Sequence, residues 1–254
     1  MNLDIFKITD DQIKSWNTYG YVYSPNHIKK YISQYIISVE KIESLNKKNR
    51  ESLFYYEKIK GAPRLCRIEK FLEDNKFLKK QILGENILGY INKLNSKHFY
   101  LYKEKINIKF SGGSGYSAHQ DATAYHKLKG HITCLIALTE MNEKNGCLYI
   151  SKLKNNNKLL SYDKNGCIKQ SLDKKLLWQP IIMSKGDCFF FNSYLPHKSE
   201  SNRSKGERRA IYLTFNLSSE GNLRNEYYKN REKSLNLNKN RISTIGHFKG
   251  KNII

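Results

Sequence analysis

Apolar positions recur with two different periods along the chain, and the change of period divides it. From Ile28 they fall at Tyr31, Ile32, Tyr35, Ile36 and Val39, a spacing of three and four that predicts an amphipathic helix. Just before it, Gly20-Tyr21-Val22-Tyr23-Ser24 is short and aromatic and ends at Pro25, which predicts a strand leading into that helix. Leu65 to Leu94 carries a second helical pattern through Phe71, Phe77 and Ile82, interrupted near Gly84. Residues 1–100, roughly, therefore read as helical support for whatever follows.

From about Lys105 the pattern shortens. KINIKF, HITCLIALT, GCLYI, QPIIMS, DCFFFN and AIYLTFN are β-rich runs, separated by turn signals such as Ser-Gly-Gly-Ser-Gly, Glu-Lys-Asn-Gly and Lys-Gly-Asp. Many short strands at close spacing predict a sandwich or jelly roll, an architecture that holds a cavity between its sheets. The expected class is mainly β with flanking helices. From about Asn222 the chain is polar, basic and weakly periodic, which leaves a docking helix, a flap or a disordered tail open. Neither an internal repeat nor a linker interrupts the pattern. The expected organisation is one domain over 1–254, with a β core over about 101–218 and a basic extension over about 219–254.

Composition narrows the class. No run approaches the roughly eighteen apolar residues of a membrane helix, and the opening MNLDIFKITDDQIKSW lacks a signal peptide's apolar core, so a cytoplasmic protein is expected. Cysteines 66, 134, 147, 167 and 188 are odd in number, scattered and free of C-x-x-C pairs, which predicts reduced thiols in core positions. The 45 Lys and Arg against 23 Asp and Glu give a formal charge of +22. That excess suits an anionic partner, but a coding bias toward Lys, Asn and Ile also produces it, as in LKNNNKLL. The basic residues are scattered along the chain, which favours the compositional reading.

The candidate chemistry lies in His119-Gln120-Asp121, with His197 and Arg208 far downstream. On an extended stretch, His119 and Asp121 leave the same face. With His197 they can close a triad of two imidazoles and one carboxylate, which holds one side of an octahedral Fe(II) and leaves the other side open. A planar guanidinium such as that of Arg208 is the natural anchor for a carboxylate in a buried slot. Together these residues point to a non-haem iron oxygenase that uses 2-oxoglutarate and O2.

Several residues compete for these roles. Asp121 also suits a turn capping Ala122–Tyr125. Strand alternation lets only one of Arg208 and Arg209 face an interior. His126 and His131 are rival ligands; His131 shares a strand face with Thr133, so it either lines a pocket or forms a polar strand end. The glycines at 112, 113 and 115 precede no Gly-Lys-Ser/Thr, so a tight turn is a better reading than a phosphate cradle.

The order of these segments resembles the phytanoyl-CoA dioxygenase family of iron/2-oxoglutarate oxygenases. The likeness rests on Lys109-Phe110-Ser111-Gly112-Gly113-Ser114-Gly115 before His119-Gln120-Asp121, and on His197, Ser199, Asn202, Ser204 and Arg208. Gly20-Tyr21-Val22 before a helix adds to it, and the likeness runs to about residue 218. It implies a double-stranded β-helix (jelly-roll or cupin-like), with His119, Asp121 and His197 as Fe(II) ligands. It also implies Arg208 as the partner of the distal carboxylate of 2-oxoglutarate, with Asn107 and Ser199 as further contacts. Arg208 is preferred to Arg209 because its distance from His197 matches the family. The strand at Leu135–Thr139 lacks a tryptophan that some members carry beside the cosubstrate, which argues against phytanoyl-CoA itself as substrate. The expected substrate is a small metabolite or a carrier- or CoA-linked acid, with an anionic one left open, and without specific nucleic-acid binding. An oxygenase of nucleic acid or protein, and a non-catalytic cupin-like binding protein, are the alternatives. The oligomeric state is left open.

Overall fold

The computed structural model describes residues 7–125, 130–236 and 245–253. In chain order the elements begin with α1 (Asp10–Tyr19), β1 (Tyr21–Ser24), α2 (Ile32–Glu43), β2 (Leu53–Ile59), β3 (Ala62–Glu69), α3 (Lys76–Leu83) and α4 (Tyr90–Asn95). Strands β4 (Phe99–Lys109), β5 (Tyr116–His119), β6 (His131–Ala137) and β7 (Leu148–Ser151) follow. The remainder is α5 (Gln170–Asp173), β8 (Trp178–Ile181), β9 (Cys188–Asn192), β10 (His197–Ser199), β11 (Arg208–Leu217), α6 (Arg224–Asn236) and β12 (Asn252–Ile253).

The strands form two antiparallel sheets. The larger has the order β1-β9-β6-β11-β4-β3-β2-β12 and the smaller β5-β10-β7-β8. Strands distant in sequence alternate as neighbours, and this arrangement is the double-stranded β-helix. Alternation along the central strands divides the interior in two. In β6 and β9, Ile132, Cys134, Ile136, Cys188 and Phe190 pack toward the helices, against Tyr35, Val39, Leu78 and Ile91. Their neighbours Leu135, Ala137, Phe189 and Phe191 turn the other way and meet Leu148 and Ile150 of the small sheet. A strand buried on both faces reads as a continuous apolar run, which is why HITCLIA and CFFF stand out in the sequence. All five cysteines are buried and free.

The entry to the sheet depends on one glycine. Thr9 and Gln12 form a reciprocal capping box at the start of α1, and Gly20 ends that helix at φ 76°. A Cβ at Gly20 would lie 2.2 Å from the Asn192 side chain, so both its conformation and its closeness to β9 require glycine.

The N-terminal region is less helical than its pattern suggests. Leu65–Glu69 belongs to β3, which forms a hairpin with β2 through Lys60 and Gly61, at φ 48° and 86°. Two consecutive positive φ values make a tight turn that matches the twist of the flanking strands. β3 also pairs with β4, Arg67 facing Asn107 across the ladder. This pairing overrides the helical spacing of Leu65, Ile68 and Leu72, and the helical segment starts only at Lys76, capped by Asn75. No helix among the described residues is long and apolar enough to cross a membrane.

Candidate active site

Local chemistry brings the two histidine strands together. The glycine-rich segment after β4 turns back at Gly112, φ 81°, and Gly112 N–H donates to Asn202 O at 2.8 Å. The Asn202 side-chain amide donates to Lys109 O and Gly206 O, both at 2.8 Å. Ser204 donates from both its backbone N–H and its hydroxyl to Asn202 Oδ1. The tight turn expected from these glycines is thus a clasp that lays β5 beside β10. A Cβ at Gly115 would lie 2.3 Å from Ser199 O, so the contact admits no side chain there. His197 and His119 then become direct cross-strand partners.

Each imidazole is held in one orientation. His119 Nδ1–H donates to Ser117 O at 2.7 Å and His197 Nδ1–H donates to Leu195 O at 2.9 Å. A carbonyl only accepts, so both Nε2 atoms carry their lone pairs toward Asp121, whose Oδ1 lies 3.7 and 3.9 Å away. Gln120 is extended and points its amide away, to Tyr194 O and Lys158 O, which leaves His119 and Asp121 on one side. Asp121 opens a 3-10 turn over Asp121–Ala124, so its turn role and its place beside the histidines coincide. Thr133 Oγ1 donates to Asp121 Oδ2 at 3.2 Å and fixes the carboxylate. The three candidate ligand atoms lie within 4.8 Å of one another.

Electrostatics prepares this cluster for a cation. Burial, then the neighbouring His197, pushes His119 down to about 3, so it stays neutral and available as a ligand. Burial alone would raise the Asp121 carboxyl, but His197, His119, Lys105 and Lys103 outweigh it and hold it ionised. Two neutral nitrogens and one carboxylate, with the carboxylate and both rings anchored by outer hydrogen bonds, are a donor set that suits Fe(II).

The cluster borders a cavity between the two sheets. Asn107, Ser199 and Arg208 line the same cavity, so all six residues singled out from the sequence meet there. Arg208 is 1% exposed; its NH1 donates to Gly146 O at 2.9 Å, and its Nε has no hydrogen-bond partner among the described residues. A buried guanidinium with a donor to spare is the observation that fits a carboxylate-bearing cosubstrate. Arg209 faces the opposite side of β11 and pairs with Glu43 at 3.1 Å and Glu207 at 2.6 Å. Asn107 Oδ1 accepts from Arg67 Nε at 3.1 Å, and Ser199 Oγ accepts from Lys109 Nζ at 3.1 Å. His131 is buried, its ring 4.3 Å from that of Tyr125, and stands behind that tyrosine instead of lining the cavity. His126 lies outside the described residues.

Sequence reasoning missed much of the wall. Six basic side chains line the cavity against Glu69 and Asp121, so part of the positive charge converges inward. Lys103 and Lys105 alternate with buried residues on β4, a pattern that reads as a solvent-facing strand when the covering sheet is unknown. Tyr227 and Arg231 from α6, with Ile245 and His247, close the far side, and the His247 ring lies 4.0 Å from that of His119. No local signal marks these C-terminal residues; only tertiary docking brings them in.

A double-stranded β-helix with a buried cluster of two histidines and one carboxylate at its mouth defines a non-haem iron oxygenase. Residues 17–210 match the phytanoyl-CoA dioxygenase (PhyH) family, and the chain belongs to it as a 2-oxoglutarate-dependent dioxygenase. The chain is 38% identical to a methylphosphonate hydroxylase of Gimesia maris over 96% of each protein. It is 34% identical to a 2-aminoethylphosphonate dioxygenase of an uncultured bacterium, over 88% of this chain and 87% of that one. Among solved structures it is similar to the epimerase SnoN from nogalamycin biosynthesis (TM-score 0.67, 14% identity, 82% of this chain and 83% of that one). EctD from S. alaskensis is also similar (TM-score 0.67, 14% identity, 86% and 80%).

Proposed function

We propose that this enzyme hydroxylates a small phosphonate, with His119, Asp121 and His197 holding Fe(II) and Arg208 holding 2-oxoglutarate. The observation that carries the reading is the inward convergence of both Nε2 atoms and Asp121 Oδ1 beside the cavity that contains Arg208. The phosphonate is supported by the two relatives and by the basic lining. When bound, Fe(II) with 2-oxoglutarate and O2 supplies the oxidising power to place one oxygen atom in a C–H bond, with succinate and carbon dioxide as co-products.

The chain's own residues position and shield. Ser117 O and Leu195 O fix the tautomers of the two histidines, and Thr133 keeps one Asp121 oxygen occupied so that the other faces inward. Arg208 would hold the distal carboxylate, with its spare Nε–H as donor, and Asn107 and Ser199, which line the same cavity, would offer further polar contacts. Lys109 supports that end, donating to Gly146 O, Ser199 Oγ and Glu200 O. Tyr116, Tyr125, Tyr212 and Tyr227 form aromatic walls that limit water and restrict substrate size.

The test is an anaerobic titration of Fe(II)-loaded enzyme with 2-oxoglutarate, followed by succinate release in the presence of methylphosphonate or 2-aminoethylphosphonate. A visible charge-transfer band and phosphonate-dependent succinate are expected. Succinate release driven by structured RNA or single-stranded DNA, and by none of the small molecules, would instead make the basic surface the substrate site. Polyanion binding that matters would also weaken steeply with salt, because it releases counterions.

A further inference from the structure

Strand β4 carries a row of polar side chains on the cavity side, and its two ends are treated differently. At one end Lys109 faces Arg208 across the ladder, and its ammonium is fully engaged by two carbonyls and a hydroxyl. At the other end stand Lys103 and Lys105. Among the described residues, neither of these two donates a hydrogen bond or pairs with a carboxylate. Each lies over aromatic faces: Lys103 Nζ is 4.6 Å from the Tyr125 ring centroid and 5.8 Å from that of Tyr227, and Lys105 Nζ is 5.4 Å from that of Tyr212. Lys103 is only 7% exposed. Arg67, nearby, is already committed to Asn107, Glu69 and Tyr116.

Asp121 and Glu69 act on both lysines without a direct ion pair to either, and ammonium groups in a water-poor wall without a directly paired carboxylate are costly unless an anion joins them. Burial lowers Lys103 to about 8 and also lowers Lys105, and an anion bound between them would restore the charged form of both. Their Cα atoms are roughly 7 Å apart on one strand face, close enough for two flexible stems to converge on one tetrahedral anion.

The register places this pair beside the metal cluster. Lys103 is paired with Thr214, Thr214 with Thr133, and Thr133 hydrogen-bonds Asp121. Lys105 and Lys109 are roughly 13 Å apart along the strand, farther than one molecule of 2-oxoglutarate spans. We infer that Lys103 and Lys105 together bind the phosphonate group of the substrate, at the end of the cavity opposite Arg208. The two anions are thereby sorted: the cosubstrate carboxylate to the rigid guanidinium end, the phosphonate to the paired lysines. This assignment rests on the phosphonate reading above.

The test uses holoenzyme loaded with Fe(II) and 2-oxoglutarate under anaerobic conditions, with methylphosphonate and 2-aminoethylphosphonate as probes in calorimetric titration. Lys103→Met and Lys105→Met keep the aliphatic stem and remove the charge. Each should raise the phosphonate Kd at least about tenfold, equivalent to about 1.4 kcal/mol, while iron stoichiometry and the 2-oxoglutarate Kd stay at wild-type values and report an intact fold. Lys103→Arg should retain more affinity than Lys103→Met. Variants that bind both probes as wild type does, or that lose 2-oxoglutarate affinity in parallel, overturn the assignment alone. A wild-type holoenzyme that binds neither phosphonate overturns the phosphonate reading, and the assignment with it.

Discussion

The two faces of the β4–β11 pair use one backbone for opposite purposes. Toward the helices, Ile106, Ile108, Ile211, Leu213 and Phe215 form a dry apolar layer. Arg209, which faces this side of β11, is neutralised by Glu43 and Glu207. Toward the cavity, the same strands present Lys103, Lys105, Asn107, Arg208 and Tyr212. There the cations outnumber the acids, and Arg208 keeps an unused donor. The difference shows that burial alone does not separate structure from function in this molecule. On the helix face the Arg209 charge is paired within the chain, and what lacks a hydrogen bond among the described residues is a neutral group such as the Tyr35 hydroxyl. On the cavity face the partners are incomplete, and an incompletely satisfied buried charge marks a place for a ligand.

Breaking the cluster that borders the cavity should have the largest effect. His119→Ala or His197→Ala leaves two protein ligands, so iron stoichiometry and succinate formation should both fall to near background. Unchanged iron content in both variants would remove this cluster from the metal site. The helix face should fail in a different way. Ile211→Ala leaves a cavity in a fully buried layer and should cost about 2–5 kcal/mol of stability, seen as a lower denaturant midpoint. The folded fraction should keep its wild-type 2-oxoglutarate affinity. A loss of affinity without a loss of stability would reverse the contrast between the faces.

Arg208→Ala sharpens it from the cavity side. Loss of a buried charge-assisted bond should weaken 2-oxoglutarate by about 3 kcal/mol, roughly a hundredfold, with iron binding retained. The smallest effect belongs to Arg209→Ala, whose partly exposed ion pairs are worth about 1 kcal/mol or less in denaturant melts. Its 2-oxoglutarate affinity should match wild type. The opposite ranking of the two arginines in a cosubstrate titration would show that the faces have been exchanged.

The amino-acid sequence determined the strands with clear alternation or continuous apolar runs, the turn at Gly112, and the set His119, Asp121, His197 and Arg208. These rest on short-range physics: side-chain period, the conformational freedom of glycine, and the affinity of particular donors for a metal or a carboxylate. The hairpin of β2 and β3 escaped because Leu65, Ile68 and Leu72 also fit a helical period, and pairing with β4 decides between the two. The polar face of β4 escaped for a related reason. Lys103, Lys105 and Lys109 look solvated until the small sheet, α6 and the segment around His247 close over them. Which side of a strand meets water, and which cations are left without a counterion, depends on elements far away in the chain. Only the tertiary structure decided that part of this basic protein's charge faces inward, beside the cluster suited to iron.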